Sequence, residues 1–364
     1  MITFTIFLAI LGGTVFFSLR MESLGKAPKG DRLLRIKQSP HYKDGSFQNL
    51  TPTPVQSEDA SLIKMLHKML INPNPNVSPK ADVPVVRTAF LIAPSPNPTI
   101  TYFGHSSYMI QRNGINILVD PVFSKRISPV SFIGTKGFKG SLAYGLEDLP
   151  SIDFVVLTHD HYDHMDHHTI KAMIDSPTRF VVPLGVGAHL EYWGIAAERI
   201  TELDWWETTS IIPDVNLTAT PARHFSGRSL KRGQTLWVSY VFKTASETLF
   251  LGGDSGYEQH FKEIGRKFGP FDLAILECGQ YNRWWPYIHM MPEQTVQASF
   301  DLGAKALWPV HWGKYALAMH DWNEPARRIA HKAHELNMPL ATPMIGEQII
   351  LGKPWPNSEW WELG

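Results

Sequence analysis

The sequence predicts a layered α/β protein, in which strands are interspersed with helices. From residue 85 onward, short segments of alternating or continuous apolar residues are separated by turns, as sheet strands are. Helical spacing of apolar residues appears between and after these segments, for example in PEQTVQASFDLGA and NEPARRIAHKAHEL. The 364 residues are 43% hydrophobic and 19% charged, which is enough to bury a core in one large or two ordinary domains.

Charge and cysteine content exclude several classes of function. Lysine plus arginine and aspartate plus glutamate each number 34, so the chain lacks the basic surplus of a nucleic-acid-binding protein, and we predict no nucleic-acid partner. The single cysteine, Cys278, excludes an intramolecular disulfide and a cysteine-rich zinc module. Histidine and carboxylate side chains are therefore the candidate metal ligands.

Residues 1–20 form a separate hydrophobic segment. No side chain between Ile2 and Leu19 is charged, and at about 1.5 Å per residue the stretch just spans a hydrocarbon core of roughly 30 Å. Nothing basic precedes it and no small-residue cleavage pattern follows it, which favours an uncleaved single-pass membrane anchor over a signal peptide. Basic residues after it predict that the bulk of the chain lies on the cytoplasmic face. These residues are Arg20, Lys26, Lys29, Arg32, Arg35 and Lys37.

Residues 21–84 are predicted to form an extended linker, because proline, lysine, serine and asparagine predominate there. One amphipathic helix is expected within it, with Ser57 as its N-cap, and it either packs on the catalytic body or lies on a membrane surface. Its apolar residues are Leu62, Met65, Leu66, Met69 and Leu70. The catalytic domain is assigned to residues 85–352, and residues 353–364 to a C-terminal tail laid over the surface.

The strands of the catalytic domain can be assigned in order. They are TITYFGHSSYMIQ, NILVD, DFVVLT, RFVVP, NLTATPA, LWVSYVF, TLFLGGD, LAILE and ALWPVH. Four of them end next to histidine or aspartate: DFVVLT runs into a histidine-rich segment, and the others lead to His224, Asp254 and His311. Because strands fix the backbone while loops carry reactive groups, we expect these four strand ends to converge.

The histidine-rich segment contains the pattern H-x-H-x-D-H, formed by His159, His161, Asp163 and His164. Two histidines separated by one residue can bind one ion, and the adjoining aspartate and histidine can turn towards a second. Imidazole and carboxylate ligands suit zinc, iron or manganese. The next two histidines, at 167 and 168, follow Asp166, which is expected to be a helix N-cap, so they are predicted to be exposed rather than ligands.

The three later donors extend this pattern to a pair of metal ions. His224 would complete a three-histidine set for the first ion, His311 would join the aspartate and histidine on the second, and Asp254 can bridge the two. Such a pair would hold a water or hydroxide whose pKa is lowered towards about 7. This bridging hydroxide is the predicted nucleophile.

H-x-H-x-D-H followed by separated His, Asp and His resembles the metallo-β-lactamase superfamily of four-layer αββα sandwich hydrolases. More closely, YFGHSSYMIQ, LVDPVFS, SPVSFIG, ELDWWE, GGDSGY, IHMMPEQ and VHWGKYAL resemble the branch that contains N-acylphosphatidylethanolamine-hydrolysing phospholipase D. The similarity runs from about residue 40 to residue 352. It implies two zinc ions per chain, the first on His159, His161 and His224, the second on Asp163, His164 and His311, with Asp254 as the bridge and Asp163 also catalytic.

The activity implied by the resemblance is hydrolysis of the phosphodiester on the headgroup side, which releases phosphatidic acid and an N-acylethanolamine. The expected partners are a phospholipid substrate and a membrane. The oligomeric state is open, with a homodimer as one candidate.

Further residues are expected around the metals. His105 follows a strand and either supports the site or only packs against it, while Asp120 is expected to orient a ligand histidine or to fix the turn before Pro121. His289 stands where the family places a histidine beside the substrate phosphate, and it is the candidate acid. By contrast, His320→Ala is expected to be nearly silent. Three aromatic residues are candidates for an acyl-chain groove or for the core: Trp284, Trp285 and Tyr287.

Other functions are compatible with the same fold. The substrate could be a lactone, a thioester or a cyclic phosphate ester. A diiron oxygen or nitric-oxide reductase is disfavoured, because that group carries glutamate where His161 stands. A non-catalytic envelope protein is disfavoured because no predicted donor is missing.

Overall fold

The structure, a computed structural model, describes residues 21–71, 73–90 and 97–362. The predicted membrane anchor within residues 1–20 lies outside these ranges. Among the helices that the structure describes, none is long and apolar enough to cross a membrane.

The described chain forms two large sheets, two small hairpins and seven α-helices. The strands are β1 (Tyr42–Lys43), β2 (Ser46–Phe47), β3 (Thr99–Tyr102), β4 (Tyr108–Arg112), β5 (Ile115–Val119), β6 (Arg126–Ile127), β7 (Thr135–Lys136), β8 (Phe154–Val156), β9 (Arg179–Pro183), β10 (Ile200–Leu203), β11 (Thr208–Ile212), β12 (Val215–Thr220), β13 (Ser239–Lys243), β14 (Thr248–Leu251), β15 (Leu273–Glu277), β16 (Leu307–Val310) and β17 (Gln348–Ile350). The helices are α1 (Gly30–Gln38), α2 (Leu62–Leu70), α3 (His167–Lys171), α4 (Gly187–Tyr192), α5 (His260–Phe268), α6 (Pro292–Asp301) and α7 (Glu324–Glu335).

The order of the strands brings the predicted donors to one edge of each sheet. The seven-stranded sheet has the order β10-β9-β8-β5-β4-β3-β17, and the six-stranded sheet the order β11-β12-β13-β14-β15-β16. In the first, β5 and β8 are parallel, and β3 is separated from β5 by two antiparallel pairings, so all three point the same way. The same holds for β12, β14, β15 and β16 in the second sheet. Every strand that precedes a predicted donor therefore ends at the same edge of its sheet.

The two sheets pack face to face around one hydrophobic core. Trp308 of β16 meets Tyr102 of β3 and Tyr108 of β4 edge to face, with ring centroids 5.3 Å and 5.2 Å apart. Helices cover the outer faces: α6 packs on β15 and β16 and contacts α5 and α7, whereas α4 packs against β10. The predicted layered α/β architecture is confirmed.

Residues 21–84 contain more structure than the predicted linker with one helix. Helix α1 and the β1–β2 hairpin pack on the body, and both Ile36 and Phe47 are buried. The N-cap of α2 is Ser61, whose side chain accepts a hydrogen bond from the amide of Lys64, and not Ser57. Ser57 instead donates its amide to the carbonyl of Trp284. The proline-rich composition suggested a linker, and these contacts could not be predicted from it because they join segments that are far apart in the chain.

Two further expectations are corrected by packing. The segment TITYFGHSSYMIQ is not one strand but two, since the chain reverses between β3 and β4 at a turn where His105 has φ 58°. The predicted C-terminal tail lies over the surface only in part: residues 353–359 are exposed or half-buried, but Trp360 and Trp361 are buried, and Trp360 stacks on Trp312 with ring centroids 4.7 Å apart. Burial of these large rings holds the end of the chain against the core.

Candidate metal centre

The turns after three strands hold site residues in a strained backbone conformation. His105 after β3, Asp120 after β5 and His311 after β16 have φ values of 58°, 41° and 69°. Side-chain-bearing residues rarely adopt this left-handed region, at a cost of about 1–3 kcal/mol each, and such strain is concentrated at functional sites. The fold therefore holds these three side chains in fixed directions at the edge where the donor-bearing strands end.

The first donor cluster consists of three histidines. The Nδ1 of His161 lies 2.9 Å from the Nε2 of His159 and 3.2 Å from the Nε2 of His224. These nitrogens and an oxygen of Asp254 lie within 4.8 Å of one another. Burial lowers the pKa of all three imidazoles, which favours the neutral form that binds a metal ion.

The second donor cluster contains a carboxylate. Asp163 lies with its Oδ2 3.7 Å from the Nε2 of His164 and 3.9 Å from the Nε2 of His311. His105 belongs to the same cluster, because its Nε2 is 3.0 Å from that oxygen. Burial alone would raise the pKa of Asp163, but the neighbouring His164 and His105 lower it well below its usual range, so the side chain stays ionised.

Asp254 lies between the two clusters. Its Oδ2 is 3.7 Å from the Nε2 atoms of His159 and His224, and its Oδ1 is 3.2 Å from both His164 Nε2 and His311 Nδ1. One carboxylate therefore faces both sets with a different oxygen. This is the position that a bridging ligand requires.

The donor set fits divalent metal ions. The Nε2 of His164 and the Oδ1 of Asp254 are buried and have no hydrogen-bond partner among the described residues. Unpartnered buried polar atoms are costly, and a bound cation would satisfy both. Imidazoles and carboxylates in two groups of this kind suit zinc, iron or manganese. Burial alone would lower the pKa of His164, but the carboxylates of Asp254, Asp163 and Asp120 outweigh it and raise this pKa well above its usual value, so the imidazole loses a proton when it binds a metal ion.

Hydrogen bonds behind the ligands select which histidine nitrogen faces the cluster. The Nδ1 of His224 is 2.9 Å from the carbonyl oxygen of Ile288, and the Nδ1 of His159 is 3.0 Å from the Oγ1 of Thr158. Because each Nδ1 meets an oxygen, it carries the hydrogen and leaves Nε2 free as a ligand.

Asp120 performs the same task for the second cluster with a charged group. Its Oδ2 is 2.8 Å from the Nδ1 of His164 and accepts a hydrogen bond from the hydroxyl of Thr158 at 2.6 Å, while its Oδ1 accepts the amide of Thr158. Of the two roles expected for Asp120, the structure shows the first, since the carboxylate contacts a predicted ligand. His105, likewise, contacts Asp163 rather than only packing nearby.

His289 lies beside both clusters. Behind it stands Glu277, which was not predicted from the sequence to be a site residue. The ring centroid of His289 is 5.1 Å from that of His224 and 5.3 Å from that of His311. Its Nδ1 is 3.5 Å from the Oε1 of Glu277, which also accepts the amide of Met290. Burial raises the pKa of Glu277 to about 7. Burial by itself would lower the pKa of His289, but the neighbouring carboxylate of Glu277 outweighs it and raises the pKa of His289. Glu277 ends β15, so the strand-end criterion that identified the metal donors also applies to it.

A cavity of about 230 Å³ opens onto the donors. It is lined by Val55, Gln56, His161, Asp163, His224, Phe225, Asp254, Gln280, Trp285, Ile288, His289, His311 and Leu317. Of the three aromatic residues proposed for a groove, only Trp285 lines it. Trp284 is buried, and Tyr287 lies at the surface under the guanidinium of Arg223, 4.8 Å from its ring centroid.

A groove of about 390 Å³, which the sequence did not indicate, adjoins the cavity. Val55, His224 and Phe225 line both spaces. The outer groove is formed largely by residues 46–53, which come from the segment predicted to be a linker. No local pattern marks these residues, because only their packing on the body makes them part of the site.

Residues 115–312, more than half of the chain, match the model of the beta-lactamase superfamily domain. The chain belongs to this superfamily. An uncharacterised protein of Mycobacterium tuberculosis is 38% identical over 331 residues, which are 90% of this chain and 88% of that protein. N-acyl-phosphatidylethanolamine-hydrolyzing phospholipase D 1 of Caenorhabditis elegans is 32% identical over 234 residues, which are 61% of this chain and 65% of that protein.

The fold is also found in solved structures. A metallo hydrolase of Ignicoccus hospitalis matches with a TM-score of 0.55 and 20% identity, covering 71% of this chain and 99% of that one. Superfamily membership and the complete set of donors together make this protein an enzyme, a metal-dependent hydrolase.

Proposed function

We propose that this hydrolase is a phosphodiesterase of the phospholipase D type, which uses two zinc ions to hydrolyse N-acylphosphatidylethanolamine-type phospholipids to phosphatidic acid and N-acylethanolamines. The observation that supports this most is the position of His289, which lies beside both donor clusters in a cavity that adjoins a larger groove. The name of the C. elegans relative supports the same substrate class, although the chain spans 65% of that relative's length.

Two zinc ions at the clusters would lower the pKa of a bound water towards about 7 and so supply the nucleophile. The protein's own residues then position the substrate. With Nδ1 of His289 facing Glu277, its Nε2 is available to donate a hydrogen bond to a phosphate oxygen or to protonate the departing alkoxide. Asp163 lines the same cavity, and His105 holds its carboxylate where it can orient the attacking water.

The two adjoining spaces suit the two parts of such a substrate. The inner cavity contains the donors and His289, and so would take the phosphodiester. The outer groove includes Phe47, Leu50 and Trp237, which would contact an acyl chain. Arg232 lines the outer groove, with its guanidinium 4.9 Å from the ring centroid of Phe225, where it would attract an anionic lipid.

The test is to incubate the purified, zinc-loaded protein with N-acylphosphatidylethanolamine and with plain phosphatidylethanolamine and to identify the products. We expect phosphatidic acid and N-acylethanolamine from the first lipid and little turnover of the second. A panel of a lactone, a thioester and a cyclic phosphate ester covers the competing substrates. Faster turnover of any of these than of the N-acylated lipid would replace the proposed substrate.

His289 can be tested separately from the metals. His289→Ala should lower kcat by about 10²–10⁴-fold, the usual contribution of a positioned acid, while the zinc content stays unchanged. The matched control is His331→Ala, on the exposed face of α7. His320 is unsuitable as the silent control, because its Nε2 accepts the amide of Gln280, a residue of the cavity. Full activity in His289→Ala would make the residue structural.

The membrane association of the enzyme is part of the same proposal. The apolar segment of residues 1–20 would anchor the chain beside its lipid substrate, with the catalytic domain on the cytoplasmic face. Deleting Met1 to Arg20 should release the enzyme from sedimented membranes and leave its hydrolysis of detergent-dispersed lipid intact. Complete retention on membranes would instead point to α2, where Ile63 and the C-cap residue Ile71 are exposed.

A further inference from the structure

Residues Glu22–Lys26, which we call the strap, pack against the loop that supplies four of the metal donors. This metal loop comprises residues 159–166. The strap begins with a short 3-10 turn, and Ser23 within it is buried, its hydroxyl donating to the carbonyl of Pro129 at 2.7 Å. Lys171 forms an ion pair with Glu22, and the indole of Trp193 donates to the carbonyl of Glu22 at 2.8 Å. The strap is thereby fixed to the body.

Arg228 connects the strap to both ends of the metal loop. Its Nη1 donates to the carbonyls of Asp160 at 2.8 Å and Met165 at 2.7 Å, while Nε and Nη2 donate to the carbonyl of Ser23 at 3.0 Å and 2.9 Å. The guanidinium is buried between the rings of Tyr162 and Trp193, 4.1 Å and 5.0 Å from their centroids. Every one of these hydrogen bonds ends on a backbone carbonyl, so the arginine fixes the path of the chain.

A second connection runs through His189. The amide of Lys26 in the strap donates to the Nδ1 of His189 at 2.9 Å. The Nε2 of His189 therefore carries the hydrogen, and it lies 3.3 Å from the Oδ2 of Asp160, between two predicted ligands. Asp160 also accepts the amide of Gly227 at 2.7 Å and the hydroxyl of Thr235 at 2.9 Å. The strap thus determines which nitrogen of His189 faces the metal loop.

We propose that the strap and Arg228 are positioning elements of the metal centre, which hold the metal loop in the conformation that binds the ions. If the carbonyl of Ser23 moves away, the buried guanidinium of Arg228 loses hydrogen bonds but still lacks contact with water, which is energetically unfavourable. Arg228 is then expected to shift towards other partners or towards solvent. The two loop carbonyls that it holds lie next to His159 and His164. A shift there changes the distance between the two donor groups of the loop.

Glycine at position 25 gives a specific way to test the strap. Gly25 has φ 72°, and a Cβ added there would overlap with the Nδ1 of His189. Gly30, at the start of α1, has φ 55° but no atom within 4 Å of an added Cβ. Gly25→Ala and Gly30→Ala in the full-length chain therefore share a similar backbone cost, and only the first displaces His189.

The readouts are the affinity for Zn²⁺, from competition with a chromophoric chelator, and the visible spectrum of the Co²⁺-substituted protein. Both are measured without substrate and well below the unfolding temperature, so they do not depend on the proposed phospholipid activity. We expect Gly25→Ala to weaken Zn²⁺ binding by about 10- to 100-fold, which is typical for the loss of a partner that orients a ligand. The Co²⁺ spectrum should change as well. Gly30→Ala should match the wild type in both.

Arg228→Lys provides a second variant, which decides the question if Gly25→Ala does not fold. Lysine keeps the charge but lacks the planar guanidinium with which Arg228 donates to the carbonyls of Asp160, Met165 and Ser23 at once. The variant should therefore weaken Zn²⁺ binding to a similar extent. Wild-type affinity and spectrum in the folded variants would overturn the proposal, whatever their unfolding temperature. Equal losses in Gly25→Ala and Gly30→Ala would also overturn it, since general strain near the N-terminus would then explain the effect.

Discussion

The two donor clusters differ in what stands behind their ligands. In the first cluster, the histidines are oriented by uncharged oxygens, namely the hydroxyl of Thr158 and the carbonyl of Ile288. In the second cluster, the carboxylate of Asp120 orients His164, and His105 holds Asp163. The second cluster therefore carries more negative charge and depends more on ionised partners.

This difference predicts unequal responses to mutation. A charged hydrogen bond is roughly twice as strong as a neutral one, so neutralising a partner of the second cluster should cost more than removing a hydroxyl behind the first. Asp254 stands outside the comparison, because it faces both clusters. Substitutions at Asp254 and Asp120 can therefore distinguish a role shared by both clusters from one that acts mainly on the second. Thr158 connects the two clusters, because its hydroxyl meets His159 and also donates to Asp120.

The largest effect is expected for Asp254→Asn. The variant should lose both ions, because asparagine removes the negative charge that lies between the two clusters. Its activity should fall by more than about 10- to 100-fold, which is the usual cost of losing a residue that only orients a ligand. Metal analysis of the purified variant, together with its turnover, measures this. Unchanged metal content with near-normal activity would remove Asp254 from the bridging position.

Asp120→Asn should act mainly on the second cluster. We expect about a 10- to 100-fold weaker affinity for one of the two ions, because an amide in place of the carboxylate no longer holds His164 as firmly. Thr158→Val removes the hydroxyl that meets His159 in the first cluster, together with its hydrogen bond to Asp120. It should cost less than Asp120→Asn, because the carboxylate of Asp120 still contacts His164. Titration of the metal-free proteins with Zn²⁺ resolves the two sites. A larger loss in Thr158→Val would reverse the proposed difference between the clusters.

Glu277→Gln tests the residue that lies behind His289, between the two clusters. Glutamine can still accept the amide of Met290, but it cannot ionise, whereas Glu277, with a pKa of about 7, can carry a negative charge 3.5 Å from the Nδ1 of His289. We expect kcat to fall by about 10-fold or more, KM and metal content to change little, and Glu277→Asp to recover part of the rate. A loss of bound metal in Glu277→Gln would show that the residue supports the clusters instead.

Lys314 affects the stability of the fold rather than metal binding: its buried ammonium donates to the carbonyls of Phe103 and Val122, beside the turns of His105 and Asp120. Burial lowers its pKa from 10.5 to about 7 in the folded protein. Between these values the unfolded chain binds a proton that the folded chain does not, so this lysine makes stability rise with pH across that window.

Lys314→Met should remove this rise. Urea unfolding of the metal-free protein and of the variant at about pH 7 and about pH 10 measures the difference in slope. Parallel pH dependence in the two proteins would show that Lys314 remains protonated in the folded state.

The donors of both clusters could be predicted from the sequence because each one follows a recognisable strand. DFVVLT, NLTATPA, TLFLGGD and ALWPVH are apolar and short, and the next polar residues lie at their ends. The structure places all seven predicted donors in the two clusters. The N-cap of α3 was predicted for the same reason, since Asp166 accepts the amide of His168 within the local sequence.

The residues behind the donors could not be predicted in the same way. The strap meets Arg228 across 205 residues, and the N-terminal segment meets the amide and carbonyl of His224 through Asn49 across 175 residues. Proline-rich composition suggested a linker there, but packing on the body gave that segment a fixed structure. Contacts at such separations leave no periodic signal in the chain.

The sequence by itself therefore determined the chemistry of this protein: the α/β architecture, the donor types and the strand ends that hold them. These depend on local hydrophobic patterns and on the intrinsic chemistry of histidine and aspartate. Only the tertiary structure decided how the donors are oriented, that Glu277 stands behind His289, and that residues 46–53, 55 and 56 line the site while the strap is joined to the metal loop. Those features depend on the direction of side chains and on contacts between distant segments, which form only when both sheets pack on one core.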